Sequence, residues 1–237
     1  SLQNAAIEAQ KEISDGVFAM LLGGGDSSQR VLSHSAVQGA DFTGAATTGA
    51  FVSAQAAELS KRIELNCAGP NQLYVHESAD LPKAARRFLL GMTQSAGQRC
   101  TAAQDLLCDK TVYDALLKLL SDLSANVVMG PGTSEELVAA GADSAQYCLT
   151  PVIDRAVQQR CKKLVNQAVE QGAHVLYQKT LSRELRSSGY YFPMTLLGQV
   201  SDSNVLYSTE VMGPIGVITP VDGIDHAFRI ISEKKGR

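Results

Sequence analysis

Strand-like and helix-like segments alternate along almost the whole chain, and this alternation constrains the fold more than any other feature. "LQNAAIEAQKEI" (2–13) reads as a short helix and "GVFAMLLGG" (16–24) as a strand ending in glycines. "DSSQRVLSHS" (26–35) opens on capping residues and reads as a helix. "QGADFTGA" (38–45) is a short strand and turn, "TTGAFVSAQAAELS" (47–60) a helix, and "KRIELNC" (61–67) and "NQLYVHE" (71–77) strands. "ADLPKAARRFLLGMTQSAGQ" (79–98) predicts one helix capped at Asp80, next to Pro82. After the strand "DLLCD" (105–109), "VYDALLKLLSDLSAN" (112–126) places Val112, Leu116, Leu119, Leu120 and Leu123 on one face. "PGTSEELVAAGAD" (131–143) reads as a loop. The most strongly periodic segment, "DRAVQQRCKKLVNQAVEQG" (154–172), carries the stripe Val157, Cys161, Leu164, Val165 and Ala168 and ends at Gly172. "AHVLYQ", "YYFPMTLLGQV" and "MGPIGVITPVD" read as strands or loops, "DHAFRIISEK" (225–234) as a last helix, and "EKKGR" (233–237) as a solvated, frayed end. Strands separated by helical crossovers imply an α/β fold with a largely parallel sheet.

Composition narrows the function classes. Of 237 residues, 45% are hydrophobic and the formal net charge is −3, and nothing in this balance suggests a general nucleic-acid or acidic-membrane binder, which would carry a basic patch. The longest apolar runs, such as "VFAMLL" (17–22), fall well short of the roughly 20 residues that span a bilayer. The N-terminus has neither the basic nor the apolar region of a signal peptide and no initiator Met, so a processed, cleaved or truncated chain is expected. The 5 cysteines have no C-x-x-C spacing and form no metal pattern with the 4 histidines, so neither a zinc site nor a disulfide framework is expected. Such thiols fit a reducing, cytoplasmic setting.

Two residues stand out chemically. Cys100 follows a flexible "SAGQR", and a thiol needs activation, a proton acceptor and oxyanion donors to act as a nucleophile. Arg99 would lower its pKa only by turning towards the sulfur; the Cys100 backbone N–H is a candidate oxyanion donor. Glu64, before "NCAGP", is either a base or a strand-end ion-pair partner. The turn "GGGD" (23–26), between a strand and a helix, is placed where backbone N–H groups can meet a phosphate, but it fits neither a dinucleotide nor a P-loop fingerprint and reads more readily as a tight loop. His76 and His226 are proton carriers only if the fold supplies partners; with none in sequence they read as surface or strand-end residues.

Taken in order, four segments resemble the aldehyde dehydrogenase superfamily. "FTGAATTG" (42–49) is similar to its F-T-G-S-x-x-x-G, and "ELNCAGP" (64–70) to its E-L-G-G-K-x-P. "GQRCTA" (97–102) resembles its catalytic-cysteine motif, and "TEVMGPIGVI" (209–218) its E-E-[IV]-F-G-P-V. The match runs from about Gly16 to Ile231. The resemblance implies a three-layer αβα fold truncated at both ends. Residues 1–65 would be a remnant of the NAD(P)-binding domain and 66–237 the thiol-bearing catalytic domain.

It also implies a reaction: NAD(P)-dependent oxidation of an aldehyde, with a semialdehyde mildly preferred, to a carboxylic acid. Cys100 would be the nucleophile and Glu64 the base for the hydrolytic water. Glu210 would hold the nicotinamide ribose beside Met212, Thr43 and Gly44 would lie near the cofactor phosphates, and Leu65 would complete the cofactor set, with no metal. The implied partners are a small aldehyde and further copies of the chain, with no nucleic acid and no membrane. The departures are Asn66 and Cys67 for two glycines, Ala68 for lysine, Ala45 for serine and Met212 for phenylalanine. With the truncation they motivate the alternative of a non-catalytic interaction subunit of the same fold, and Cys100 with Glu64 leaves open a cofactor-independent thiol esterase.

Overall fold

The computed structural model describes residues 16–67, 69–131 and 148–234. The chain divides into two compact units, one ending at Asn66 and one beginning at Cys67. The helix expected over 2–13 and all but the first residue of the loop expected over 131–143 lie outside the described residues.

In the first unit, helix α1 (Gly25–Ser33) is followed by strand β1 (Gly39–Gly44), helix α2 (Ala46–Glu58) and strand β2 (Arg62–Cys67), and β1 pairs with β2. Lys61 Nζ donates to the carbonyls of Leu32 and His34, so the end of α1 is tied to the start of β2. Residues 17–24 form no strand: Val17, Leu21 and Leu22 are 70%, 75% and 82% exposed. A strand needs a partner for its backbone ladder as well as apolar side chains, and the sheets among the described residues do not include this run.

In the second unit the order is β3 (Asn71–Val75), α3 (Leu81–Thr93), β4 (Ala103–Asp109), α4 (Tyr113–Ala125), β5 (Val128–Met129), β6 (Cys148–Leu149) and α5 (Arg155–Glu170). It continues with β7 (His174–Gln178), α6 (Arg183–Ser188), β8 (Thr195–Gly198), α7 (Val205–Ser208), β9 (Ile215–Val221) and α8 (Gly223–Glu233). The main sheet runs β3-β4-β9-β8-β7. It is parallel from β3 through β8, and only β7 is antiparallel to its neighbour. β5 and β6 form a small parallel pair.

Local chemistry explains the helices. Asp80 Oδ1 accepts the Lys83 N–H at 3.0 Å, and Pro82 occupies the first turn of α3. Ala85, Phe88, Leu89 and Met92 then recur at helical spacing and are at most 1% exposed. Burying each of the three larger ones contributes about 1.5–3 kcal/mol. Asp154 caps α5 in the same way, and its stripe buries Cys161, Leu164, Val165 and Ala168 as expected. In β4, Leu106 and Cys108 point into a large core shared with α3, α4, α5, β8 and β9, whereas Leu107 joins Val221 and Ala227 beneath α8. The sheet therefore has helices on both faces.

Two expectations fail here. The helix expected over 79–98 stops at Thr93, whose Oγ1 bonds back to the Leu89 carbonyl at 2.8 Å, and Gln94 takes an extended ψ of 133°. The expected frayed end is also wrong at Lys234. Its side chain is 2% exposed, with Nζ 2.8 Å from Asp105 Oδ2 and 4.9 Å from the Tyr207 ring centroid.

Candidate active site

Cys100 lies between α3 and β4 on a loop with three consecutive left-handed residues: Ser95 (φ 52°), Ala96 (φ 54°) and Gly97 (φ 71°). Left-handed backbone costs a non-glycine residue about 1–2 kcal/mol, so this turn needs support from its surroundings. Gln98 bridges the Ser95 carbonyl (3.1 Å) and the Ile153 N–H (2.9 Å). Asn71 Nδ2 donates to the carbonyls of Cys100 (2.6 Å) and Ala102 (3.2 Å). At Gly97 a Cβ would stand 2.2 Å from the Gly213 carbonyl oxygen, so the thiol loop packs directly on the turn that leads into β9.

The Cys100 side chain is exposed, and among the described residues no acceptor takes its backbone N–H, which leaves that donor available to an oxyanion. Arg99 does not serve the role open to it in sequence: its guanidinium donates to Gln94 Oε1 at 2.8 Å. The buried thiols differ in kind. Burial pushes Cys108 up to about 12 and Cys161 up to about 11, which keeps both protonated near neutrality.

Glu210 sits on the facing turn. Gln104 Nε2 donates to the Thr209 carbonyl and Gln104 Oε1 accepts the Val211 N–H, both at 2.9 Å. Arg160 donates to the carbonyls of Glu210 (2.7 Å) and Val211. Burial raises the Glu210 carboxyl above its ordinary value, and the neighbouring Arg160 charge opposes that rise. Met212 follows in left-handed backbone at φ 50°. A small cleft joins the two loops, lined among others by Asn71, Gly97, Arg99, Gln104, Glu210 and Met212. The second unit thus brings Glu210 and Met212 together beside the thiol loop.

The other expected residues belong to the first unit. Thr43 and Gly44 end β1, and a Cβ at Gly44 would meet the Phe42 ring at 2.7 Å. Ala45, at the N-cap of α2, supplies no side-chain cap, and the first turn holds no acidic residue. Glu64 and Leu65 are exposed and mid-strand in β2, so the strand-end placement inferred for Glu64 is corrected. Glu64 makes no ion pair among the described residues. His76 and His226 act locally: Ser78 contacts His76 at 2.9 Å, and the Asp222 N–H reaches His226 at 3.1 Å. Asn71, Gln98, Gln104 and Arg160 escaped the reading of the sequence. The one available signal was an amide, Gln104, directly before the strand-like run "DLLCD".

Among the described residues no group of His, Cys, Asp or Glu is placed to hold a metal, and no helix is long and apolar enough to cross a membrane. The family model described as "Aldehyde dehydrogenase family" matches residues 2–235. A malonate-semialdehyde dehydrogenase of Bacillus pumilus is 26% identical over 93% of this chain and 43% of its own length. A lactaldehyde dehydrogenase of Escherichia coli is 26% identical over 92% of this chain and 43% of its own length. An aldehyde dehydrogenase of Bartonella henselae superposes with a TM-score of 0.86 at 22% identity, covering 98% of this chain and 47% of that one. A betaine aldehyde dehydrogenase of Staphylococcus aureus in complex with NAD+ gives 0.80 at 24% identity, covering 90% and 41%. The chain thus spans less than half the length of these relatives. With a match over nearly every residue, the chain belongs to the aldehyde dehydrogenase family.

Proposed function

We propose that the protein containing this chain oxidises a small aldehyde, a semialdehyde by preference, to its carboxylic acid with NAD or NADP. The single observation that carries the reading is the Cys100 loop: an exposed thiol on a braced turn, packed against the turn that bears Glu210. The relatives named for malonate semialdehyde support the substrate class.

The residues present fit a dinucleotide. The α2 N-terminus lacks a side-chain cap and an acidic first turn, and follows Thr43 and Gly44 at the end of β1, which leaves helix N–H groups for a phosphate. The half-buried Glu210 carboxylate is an acceptor for ribose hydroxyls, with Met212 as an apolar neighbour. Leu65 offers an exposed apolar contact. We assign residues 1–65 to cofactor binding and 66–237 to thiol chemistry.

The Cys100 thiolate adds to the aldehyde carbon to form a thiohemiacetal, and the Cys100 N–H stabilises the oxyanion. The dinucleotide, when bound, supplies the acceptor for the hydride that leaves this carbon as the thioester forms. Glu64 takes a proton from the water that cleaves the thioester, releasing the acid and restoring the thiol. In the intact protein, Cys100→Ser should abolish dinucleotide reduction. Glu64→Gln should lower turnover by about 10²–10⁴ while still allowing a first burst of reduced dinucleotide. Absence of reduction across a panel of aldehydes with either dinucleotide would sink the assignment.

A further inference from the structure

We propose that Gln104 is a positioning residue for Glu210, tying both peptides that flank it to β4. The inference rests on reading Glu210 as a cofactor-binding residue.

The backbone of β4 is irregular at this point. Asn71 opposes Ala103 and Gln72 opposes Asp105, which leaves Gln104 as the extra residue of a bulge. Pairing with β9 begins only at Asp105. A bulge re-aims a side chain out of the regular alternation. Here the amide reaches the Thr209–Val211 turn and engages it at both ends, donating from Nε2 and accepting at Oε1. An amide suits this task because it carries a donor and an acceptor side by side; a carboxylate cannot donate and an ammonium cannot accept. Gln104 is only 5% exposed, so loss of either bond leaves a buried polar group unpaired.

The two tied peptides lie on either side of Glu210, so the carboxylate's root is fixed from both directions. Arg160 holds the same turn from α5. Met212, the next residue but one, is left-handed, a conformation that persists only where neighbours over-determine it.

The test uses the intact protein with Gln104→Met and Gln104→Glu. In Gln104→Met the Val211 amide should exchange with solvent faster than in the wild type. The KM for NAD+ should rise about tenfold, the scale of one lost hydrogen bond, with a smaller change in kcat. Gln104→Glu should be close to wild type at low pH, where the neutral acid both donates and accepts. It should approach Gln104→Met as the carboxyl ionises, a pH dependence that a space-filling role does not produce. Unchanged Val211 exchange in Gln104→Met would overturn the proposal, as would faster exchange with an unchanged KM. If the wild type binds no NAD+, the reading of Glu210 fails, and the exchange measurement alone decides whether Gln104 holds the turn.

Discussion

A methyl group at Gly97 would have to occupy space 2.2 Å from the Gly213 carbonyl, on a backbone already at φ 71°. Gly97→Ala therefore carries about 1–2 kcal/mol for left-handed backbone before the collision is counted. Its urea midpoint should fall and alkylation of Cys100 should change rate, because the collision pushes the thiol loop off the β9 turn. An unaltered midpoint and alkylation rate would show that the two loops are not packed as described. Cys100 itself was legible in the sequence, since its motif is local and contiguous. Asn71 and Gln104 were not, because each works on residues that only the fold brings near: 31 positions away for Asn71 at its furthest and 107 for Gln104.

At the scale of elements, α8 is bound to β4 by a buried charge pair. Lys234 Nζ stands 2.8 Å from Asp105 Oδ2, and the Gln72 side chain faces the same carboxylate. Burial raises the Asp105 pKa, and Lys234 opposes that rise without cancelling it. Lys234→Met should cost about 3–5 kcal/mol at neutral pH, because it strands a buried carboxylate. The sign with pH follows from the raised pKa: the contribution of Asp105 is fully present below the ordinary carboxyl value of 3.8 and is lost as pH rises through the folded-state value. Denaturation across a pH series should show the variant's deficit shrinking towards acid, and adding Asp105→Leu should recover most of it. A deficit independent of pH would refute the account.

The same scale shows where sequence patterns carry information. The stripe of α5 was readable because five residues at helical spacing all face one core. The end of α3 was not, because Gln94–Gly97 leave the helix to meet Gly213, and no neighbour in sequence signals that contact. The run 17–24 misled for the opposite reason: its composition suits a strand, but pairing is a property of two segments.

At the scale of the whole chain, apolar burial is unevenly distributed. In the first unit only Leu32 and Ala56 among described hydrophobic residues are buried, whereas the second owns the continuous core beneath the main sheet. Local opening free energies follow such burial. In this 237-residue chain, amides of α2 should exchange about 10²-fold or more faster than those of β4 and β9. Uniform protection by hydrogen-exchange mass spectrometry would contradict that division. The α/β class was legible from alternation, but the order β3-β4-β9-β8-β7 was not, since it seats β9 beside a strand from far earlier in the chain. This ordering has a consequence for biosynthesis. The amide of Gln104 must wait for a partner 107 residues later, and at about 5–20 residues per second a ribosome needs roughly 5–20 s to make that stretch. Throughout that interval the newly made thiol loop lacks its far wall, so the nascent chain, rather than the finished fold, is where Cys100 is least supported.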